Sequence, residues 1–195
     1  MTDDHDRLRQ RRRFLVTAGG AGMTAAVTRT LAQPADGRAA PANWDMTVDV
    51  IVIGSGFAGC AAAASAAEAG ADVAVLEKMP AAGGNSAINL GDYAAWDSSL
   101  HLRQKFKLGD DSAALHARDM LDAGDGYNDP ALVNALVNGA PAALDWMIER
   151  GGLKLRDVIH RQGLSNYRMH YGPSGRGIDY IEALRRIADA HRARF

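Results

Sequence analysis

Val48-Asp49-Val50-Ile51-Val52-Ile53 runs into Gly54-Ser55-Gly56-Phe57-Ala58-Gly59, and an alanine-rich stretch follows to Gly70. Val73-Ala74-Val75-Leu76-Glu77-Lys78 comes next, and then Gly83-Gly84-Asn85-Ser86. The first segment is a nearly continuous β-branched run, the pattern of a strand buried on both faces. Its glycines fall at G-x-G-x-x-G spacing. Gly54 permits a tight turn out of the strand. Gly56 leaves backbone open to close approach by a pyrophosphate, and Gly59 lets the following helix pack close to the sheet. That helix is expected from about Phe57, its free N–H groups and positive dipole end facing the phosphates. Ala61, Ala62, Ala63, Ala64, Ala66 and Ala67 give it high helix propensity and a slim profile, and Gly70 stops it. Glu77 closes the second strand 23 positions beyond Gly54, near the roughly 20-residue offset of a carboxylate that accepts from ribose hydroxyls. Strand, turn, helix, strand and acid in this order define an α/β chain built on a Rossmann-like βαβ unit. The plainer alternative is a βαβ turn with no ligand and a surface Glu77. The fingerprint alone does not separate FAD from NAD. Gly83-Gly84-Asn85-Ser86 adds flexible backbone, an amide and a hydroxyl suited to a long cofactor, or is a plain glycine loop.

The 195 residues allow a real core. Hydrophobic content of 47% and charged content of 23% are globular values. A net charge of −1 gives no basic footprint for nucleic acid. The positive charge gathers at the N-terminus, and the remainder is mildly acidic. Cys60 is the single cysteine, so an internal disulfide, a Cys-x-x-Cys-His haem attachment and a cysteine metal cluster are all excluded. Directly after the third glycine, it reads as a small buried hydrophobe. No apolar run is long enough for an ordinary spanning helix, so no stable membrane span is expected.

Three segments are expected: 1–42 as signal and linker, 43–110 as the βαβ unit with a cofactor loop, and 111–195 as a helical continuation. Arg11-Arg12-Arg13-Phe14-Leu15 has the form of a twin-arginine export signal. A weakly apolar stretch from Val16 to Val27 follows, and Thr30-Leu31-Ala32, Ala40 and Ala42 are candidate cleavage sites. This predicts export, to the periplasm, of an already folded protein. The alternative is a basic tail.

Past Ser86 the chain reads as irregular to Asp111. Arg103, Lys105 and Lys107 read as a solvated face. Asp111 or Ser112 caps a helix to about Ala123, ended by Gly124 and Gly126. Asp129-Pro130 starts another, with Leu132, Val133, Leu136 and Val137 as its stripe. Pro141 is expected to begin a separate helix, ended by Gly151-Gly152. Leu153–Ile159 reads as a short strand and Gln162–Gly177 as a polar loop. A final helix carries Ile178, Ile181, Leu184 and Ile187 to about His191. Of the polar candidates, His160, His170 and Arg168 invite catalytic readings, with a structural or substrate-adjacent role preferred for His170. His101 and His116 are expected to face solvent. No histidine pair has metal spacing, and no Ser-His-Asp set assembles from sequence order.

With these residues placed, Val48 to about Ala190 resembles the FAD-binding fumarate reductase and succinate dehydrogenase flavoprotein family. The resemblance is nearest to its flavocytochrome c fumarate reductase and urocanate reductase branch. It is carried by Val48 to Gly59, Leu76-Glu77-Lys78, Gly83-Gly84-Asn85-Ser86, Asn128-Asp129-Pro130-Ala131-Leu132-Val133, Asp145-Trp146-Met147 and Arg168-Met169-His170. It implies FAD. Gly54, Gly56, Phe57, Ala58 and Gly59 would line the pyrophosphate, and Glu77 would bind the adenosine ribose with Lys78 beside it. Gly84, Asn85 and Ser86 would reach towards the flavin, and Gly91 matches a glycine near the isoalloxazine ring. Asp92 stands where the family has a small residue.

The resemblance also implies hydride exchange between flavin N5 and an activated carbon–carbon double bond, as in fumarate or urocanate. Electrons would come from a separate donor, since the chain has no haem motif. The family's catalytic arginine lies on segments that would follow Phe195, as do the strands that complete the sheet. No catalytic residue is therefore assigned, and the sheet is expected to be incomplete. The rivals are a 3-ketosteroid dehydrogenase-like flavoprotein, an NAD-dependent enzyme on the same turn, and a truncated non-catalytic remnant.

Overall fold

In the computed structural model, β1 (Val50–Ile53) and β2 (Val73–Leu76) pair in parallel, with Val50 opposite Val73 and Ile53 opposite Leu76. The structure describes residues 43–195; the export-signal reading falls on residues 1–42, outside them. Met46–Phe195 forms one compact unit. Helix α1 (Phe57–Glu68) joins the two strands. Its alanines let it lie flat between two layers. Ala63 and Ala67 pack on Val52, Val73 and Val75, while Ala64 packs on Ile187 and Ala188. Those last two belong to α6 (Ile178–Ala190), whose Tyr180, Ile181, Ala183, Leu184, Ile187 and Ala188 are buried. Beyond α6 the chain returns beside β2. Val75 N–H donates to the Arg194 carbonyl at 2.7 Å, and Arg194 N–H to the Val73 carbonyl at 2.9 Å.

β1 departs from the expectation of a strand buried on both faces. Val52 faces α1, but Ile51 is 61% exposed and Ile53 86%. The β-branched run is present, yet helices cover only one face of this sheet. The sheet is incomplete in that sense, as the resemblance implied.

The segment expected to be irregular after Ser86 contains α2 (Gly84–Ile88), β3 (Tyr93–Ala94) and α3 (Leu102–Lys105). The stretch expected as a polar loop holds β5 (Met169–Tyr171), and the strand expected over Leu153–Ile159 is confined to β4 (Asp157–Ile159). β5 is the centre of an antiparallel sheet in the order β3-β5-β4, with His170 opposite both Tyr93 and Val158.

α4 (Ala113–Ala123) begins as expected: the Ser112 hydroxyl accepts from Leu115 N–H at 3.1 Å. α5 does not stop at Pro141. It is one helix, Pro130–Glu149, capped by the Asp129 carboxylate on Ala131 N–H. Pro141 has no N–H for the carbonyl four residues back. That carbonyl, on Val137, instead accepts the Trp96 indole N–H at 3.2 Å. The Tyr93 hydroxyl donates to the Ala140 carbonyl at 2.9 Å, pinning the same turn. Running through Pro141 makes α5 the one helix, among the described residues, long and apolar enough to cross a membrane by length and composition. Its inner residues Val133, Val137, Ala140, Leu144 and Met147 are buried in this fold. Asp145, also buried, accepts from the hydroxyls of Ser98 and Ser99.

Candidate functional site

The glycine turn, the end of β2 and the start of α2 enclose a groove of about 790 Å³. Gly54, Ser55, Gly56, Glu77, Lys78, Gly84 and Asn85 line it, together with Ile53, Leu76 and Ile88. Gly54 turns at φ +91°, and a Cβ on Gly59 would lie 1.9 Å from the Gly54 carbonyl oxygen. Gly59 therefore brings the helix against the turn and is not itself a groove wall. Ala58 is exposed on the first turn of α1.

Ser55, fully buried, ties the groove together. Its N–H and its hydroxyl both donate to Glu77 Oε2, at 2.9 and 2.5 Å, and its oxygen accepts Gly83 N–H at 3.0 Å. Glu77 Oε1 accepts Met79 N–H at 2.9 Å. Donation from the Ser55 hydroxyl, then from the Met79 and Ser55 amides, holds the Glu77 carboxyl down at about 2. The groove is thus lined by an ionised acceptor, Glu77, and by the Gly54–Gly56 turn that leads into α1. Sequence reading passed over Ser55 because the fingerprint leaves its position free. The signal was a small hydroxyl residue between two required glycines.

Past Ser86 the same loop leads to a smaller hollow of about 220 Å³, lined by Phe57, Ser86, Asn89, Gly91, Asp92, Tyr93, Gly177 and Tyr180. The Ser86 hydroxyl accepts Phe57 N–H at 3.1 Å and so joins the two spaces. A Cβ on Gly177 would lie 1.8 Å from the Ser86 carbonyl oxygen, so α6 starts hard against this loop. Tyr93 and Tyr180 stack at 5.5 Å between ring centroids, with Phe57 beside both. Burial pushes the Tyr93 hydroxyl up to about 12. Cys60 is buried as expected, its thiol pushed up to about 11 by burial and donating to the Ser55 carbonyl.

The remaining polar candidates lie elsewhere. His116, expected at the surface, is buried, and burial followed by the nearby Arg168 charge holds its pKa below the usual value. Arg168 is enclosed: Nε and Nη2 donate to the two oxygens of Asp111 at 2.6 and 2.7 Å, and Nη1 pairs with Asp119. Arg103, expected on a solvated face, is also buried, donating to the carbonyls of Gly109 and Tyr167 and to the Asn166 side chain. Arg103 was read from a local charge run, whereas Asn166 and Tyr167, which hold it, lie more than sixty residues away, and Arg168 likewise meets Asp111 and Asp119 on a distant segment. His170 is buried at the centre of the antiparallel sheet, with Nδ1–H donating to the Arg168 carbonyl at 2.8 Å. His101 is exposed, and His160 is exposed with its ring against Tyr167. Among the described residues no group of three or more His, Cys, Asp or Glu could hold a metal ion.

Glycine turn, helix N-terminus and terminal acid on β2 define a dinucleotide-binding protein of the Rossmann type. Residues 49–182 match the FAD binding domain family, and the chain belongs to it. FAD is accordingly its cofactor, and the residues present fit one. The groove is open over the turn, Gly56 places only the Ser86 hydroxyl near a would-be Cβ, at 3.4 Å, and the loop leads on to an aromatic-lined hollow. The chain is 41% identical over 133 residues to a fumarate reductase (cytochrome) of Shewanella frigidimarina, covering 68% of this chain and 22% of that enzyme. It is 40% identical over 114 residues to a urocanate reductase of Eggerthella lenta, covering 58% and 18%. The open conformation of a flavocytochrome c3 fumarate reductase superimposes with a TM-score of 0.68 at 29% identity, over 77% of this chain and 27% of that one. The chain thus spans about a quarter or less of the length of these relatives.

Proposed function

We propose that this chain holds the FAD of an exported reductase that saturates an activated carbon–carbon double bond in a fumarate- or urocanate-like substrate. The observation that carries the reading is the groove: the Gly54–Gly56 turn that enters α1, an ionised Glu77 and the start of α2 at Gly84 and Asn85 face one open space. Similarity to two reductases of such substrates supports the substrate class. Gly54, Gly56, Phe57 and Ala58 take the pyrophosphate, and Gly59 sets the approach of their helix. Glu77 accepts from the adenosine ribose hydroxyls, with Lys78 beside it. Gly84, Asn85, Ser86 and Gly91 lead to the ring. When bound, the flavin supplies hydride exchange at N5. Reduction of the double bond delivers a hydride to one carbon and a proton to the other, and a separate donor supplies the two electrons. His170 and Arg168 are committed to packing, so neither is the proton source.

The test is anaerobic. The full-length protein is purified, its flavin is reduced, and fumarate, urocanate or a 3-ketosteroid with a conjugated ring double bond is added. Return of the oxidised flavin spectrum with fumarate or urocanate is expected. Return with the steroid alone would replace this substrate class, and no return with any of the three would overturn the reductase reading. Export rests on Arg11 and Arg12: replacing both by lysine should leave the protein in the cytoplasm, and undiminished export would exclude the twin-arginine route.

A further inference from the structure

At the far side of the smaller hollow, Asp92 is bonded to two residues from the antiparallel sheet. Arg161 Nη2 lies 3.2 Å from each Asp92 oxygen and 2.5 Å from the Tyr171 hydroxyl, which itself donates to Asp92. The sheet builds this cluster. Asp92 immediately precedes β3 and Tyr171 ends β5, so pairing of the two strands sets them side by side, whereas Arg161 follows β4 by two residues at the Met169 end of β5 and its side chain reaches back to the pair. The Arg161 guanidinium also lies 5.9 Å from the centre of the Tyr171 ring. Asp92 and Arg161 remain about a third and two-fifths exposed, at 33% and 42%. Arg161 Nε is buried and makes no hydrogen bond among the described residues. Asp92 also lines the smaller hollow.

We infer that Asp92 and Arg161, with Tyr171 as their hydrogen-bond support, form a charge-balanced pair beside the bound flavin ring, so that the ring's reduction potential is held steady only while both charges are present. This rests on the cofactor orientation proposed above, in which the adenosine lies at Glu77 and the ring at the Phe57, Tyr93 and Gly91 end. Reduction raises the electron density of the ring. A carboxylate beside it opposes that change, and a guanidinium favours it. Bonded together, the two nearly cancel. Removing either leaves the other uncompensated, so the two variants act with opposite sign. Loss of a mere structural latch would instead weaken flavin retention or stability in the same direction for both.

The experiment measures the midpoint potential of the flavin in the full-length holoprotein by dye equilibration, with flavin stoichiometry determined for every sample. Asp92→Asn is expected to shift the potential upward and Arg161→Gln downward. The double variant and Arg161→Lys should return close to the parent value. Tyr171→Phe, which keeps the ring, should give a smaller downward shift and stands in should Arg161→Gln fail to fold. Unmoved potentials, or shifts of one sign in both single variants, with one flavin per chain retained, would overturn the inference while leaving the cofactor reading intact. A parent protein that holds no flavin would overturn both.

Discussion

Ser55 and Glu77 show how much can rest on one hydroxyl. Ser55→Ala removes the strongest hydrogen bond to the Glu77 carboxylate and leaves Gly83 N–H buried without its acceptor. An orphaned buried donor costs about 1–3 kcal/mol. The Glu77 carboxyl should titrate well above its present value of about 2, moving towards the ordinary 4.5, and carboxyl-detected NMR reads this directly. The pH dependence has a definite sign. A carboxyl depressed on folding contributes stability that is fully present above about 4.5 and is lost as pH falls towards 2. An acid limb in that window should therefore weaken in Ser55→Ala. Glu77 was legible in the sequence because its offset from Gly54 is fixed by the length of one strand, one helix and one turn. Ser55 was not, because nothing local shows that its hydroxyl meets a residue 22 positions away.

At the scale of the element, α5 carries the clearest lesson. Proline ordinarily breaks a helix because a carbonyl loses its donor and the ring crowds the preceding turn. Here the Trp96 indole supplies a donor from a separate segment. Trp96→Phe should cost about 1–3 kcal/mol, the penalty for leaving the Val137 carbonyl unpaired. In a Pro141→Ala background, where an amide N–H is restored, the same change should cost less. Urea unfolding of the four proteins measures the coupling, and strict additivity would show that the indole does not replace the missing bond. The capped starts at Ser112 and Asp129 were readable because a cap is a contact between near neighbours. The passage through Pro141 was not, because its rescue lies 41 residues away. β5 escaped for a related reason: three residues between glycine-rich flanks show no alternation, and only pairing on both sides makes them a strand.

Across the molecule, two layers meet at α1, and a buried ionic cluster locks α4 to the antiparallel sheet. Burial pushes Asp119 upward, but hydrogen bonds from Arg168 and Ser165 more than offset it, holding the carboxyl below its usual range. Arg168→Met would leave Asp111 and Asp119 without their buried partner and should destabilise by about 3–5 kcal/mol, the cost of breaking an enclosed ion pair. Thermal or urea unfolding measures it, and a change below about 1 kcal/mol would place these charges in solvent. His116 adds a second pH dependence. Its pKa is depressed by burial, so it is neutral in the fold, and stability should be full above about 6.5 and decline as pH falls below it. His116→Gln should flatten that decline. The fold class and the cofactor turn were legible because one contiguous stretch encodes them. The ionic cluster was not, because it joins Arg103, Asp111, Asp119 and Arg168 across three segments, and no charge run announces a burial. The central claim is that the groove at the N-terminus of α1 holds FAD, and its most direct test is the flavin content and visible spectrum of the purified full-length protein, with FAD titrated into any apoprotein. One FAD per chain with a bound-flavin spectrum is the expected result; a colourless protein that neither retains nor takes up FAD would contradict the account.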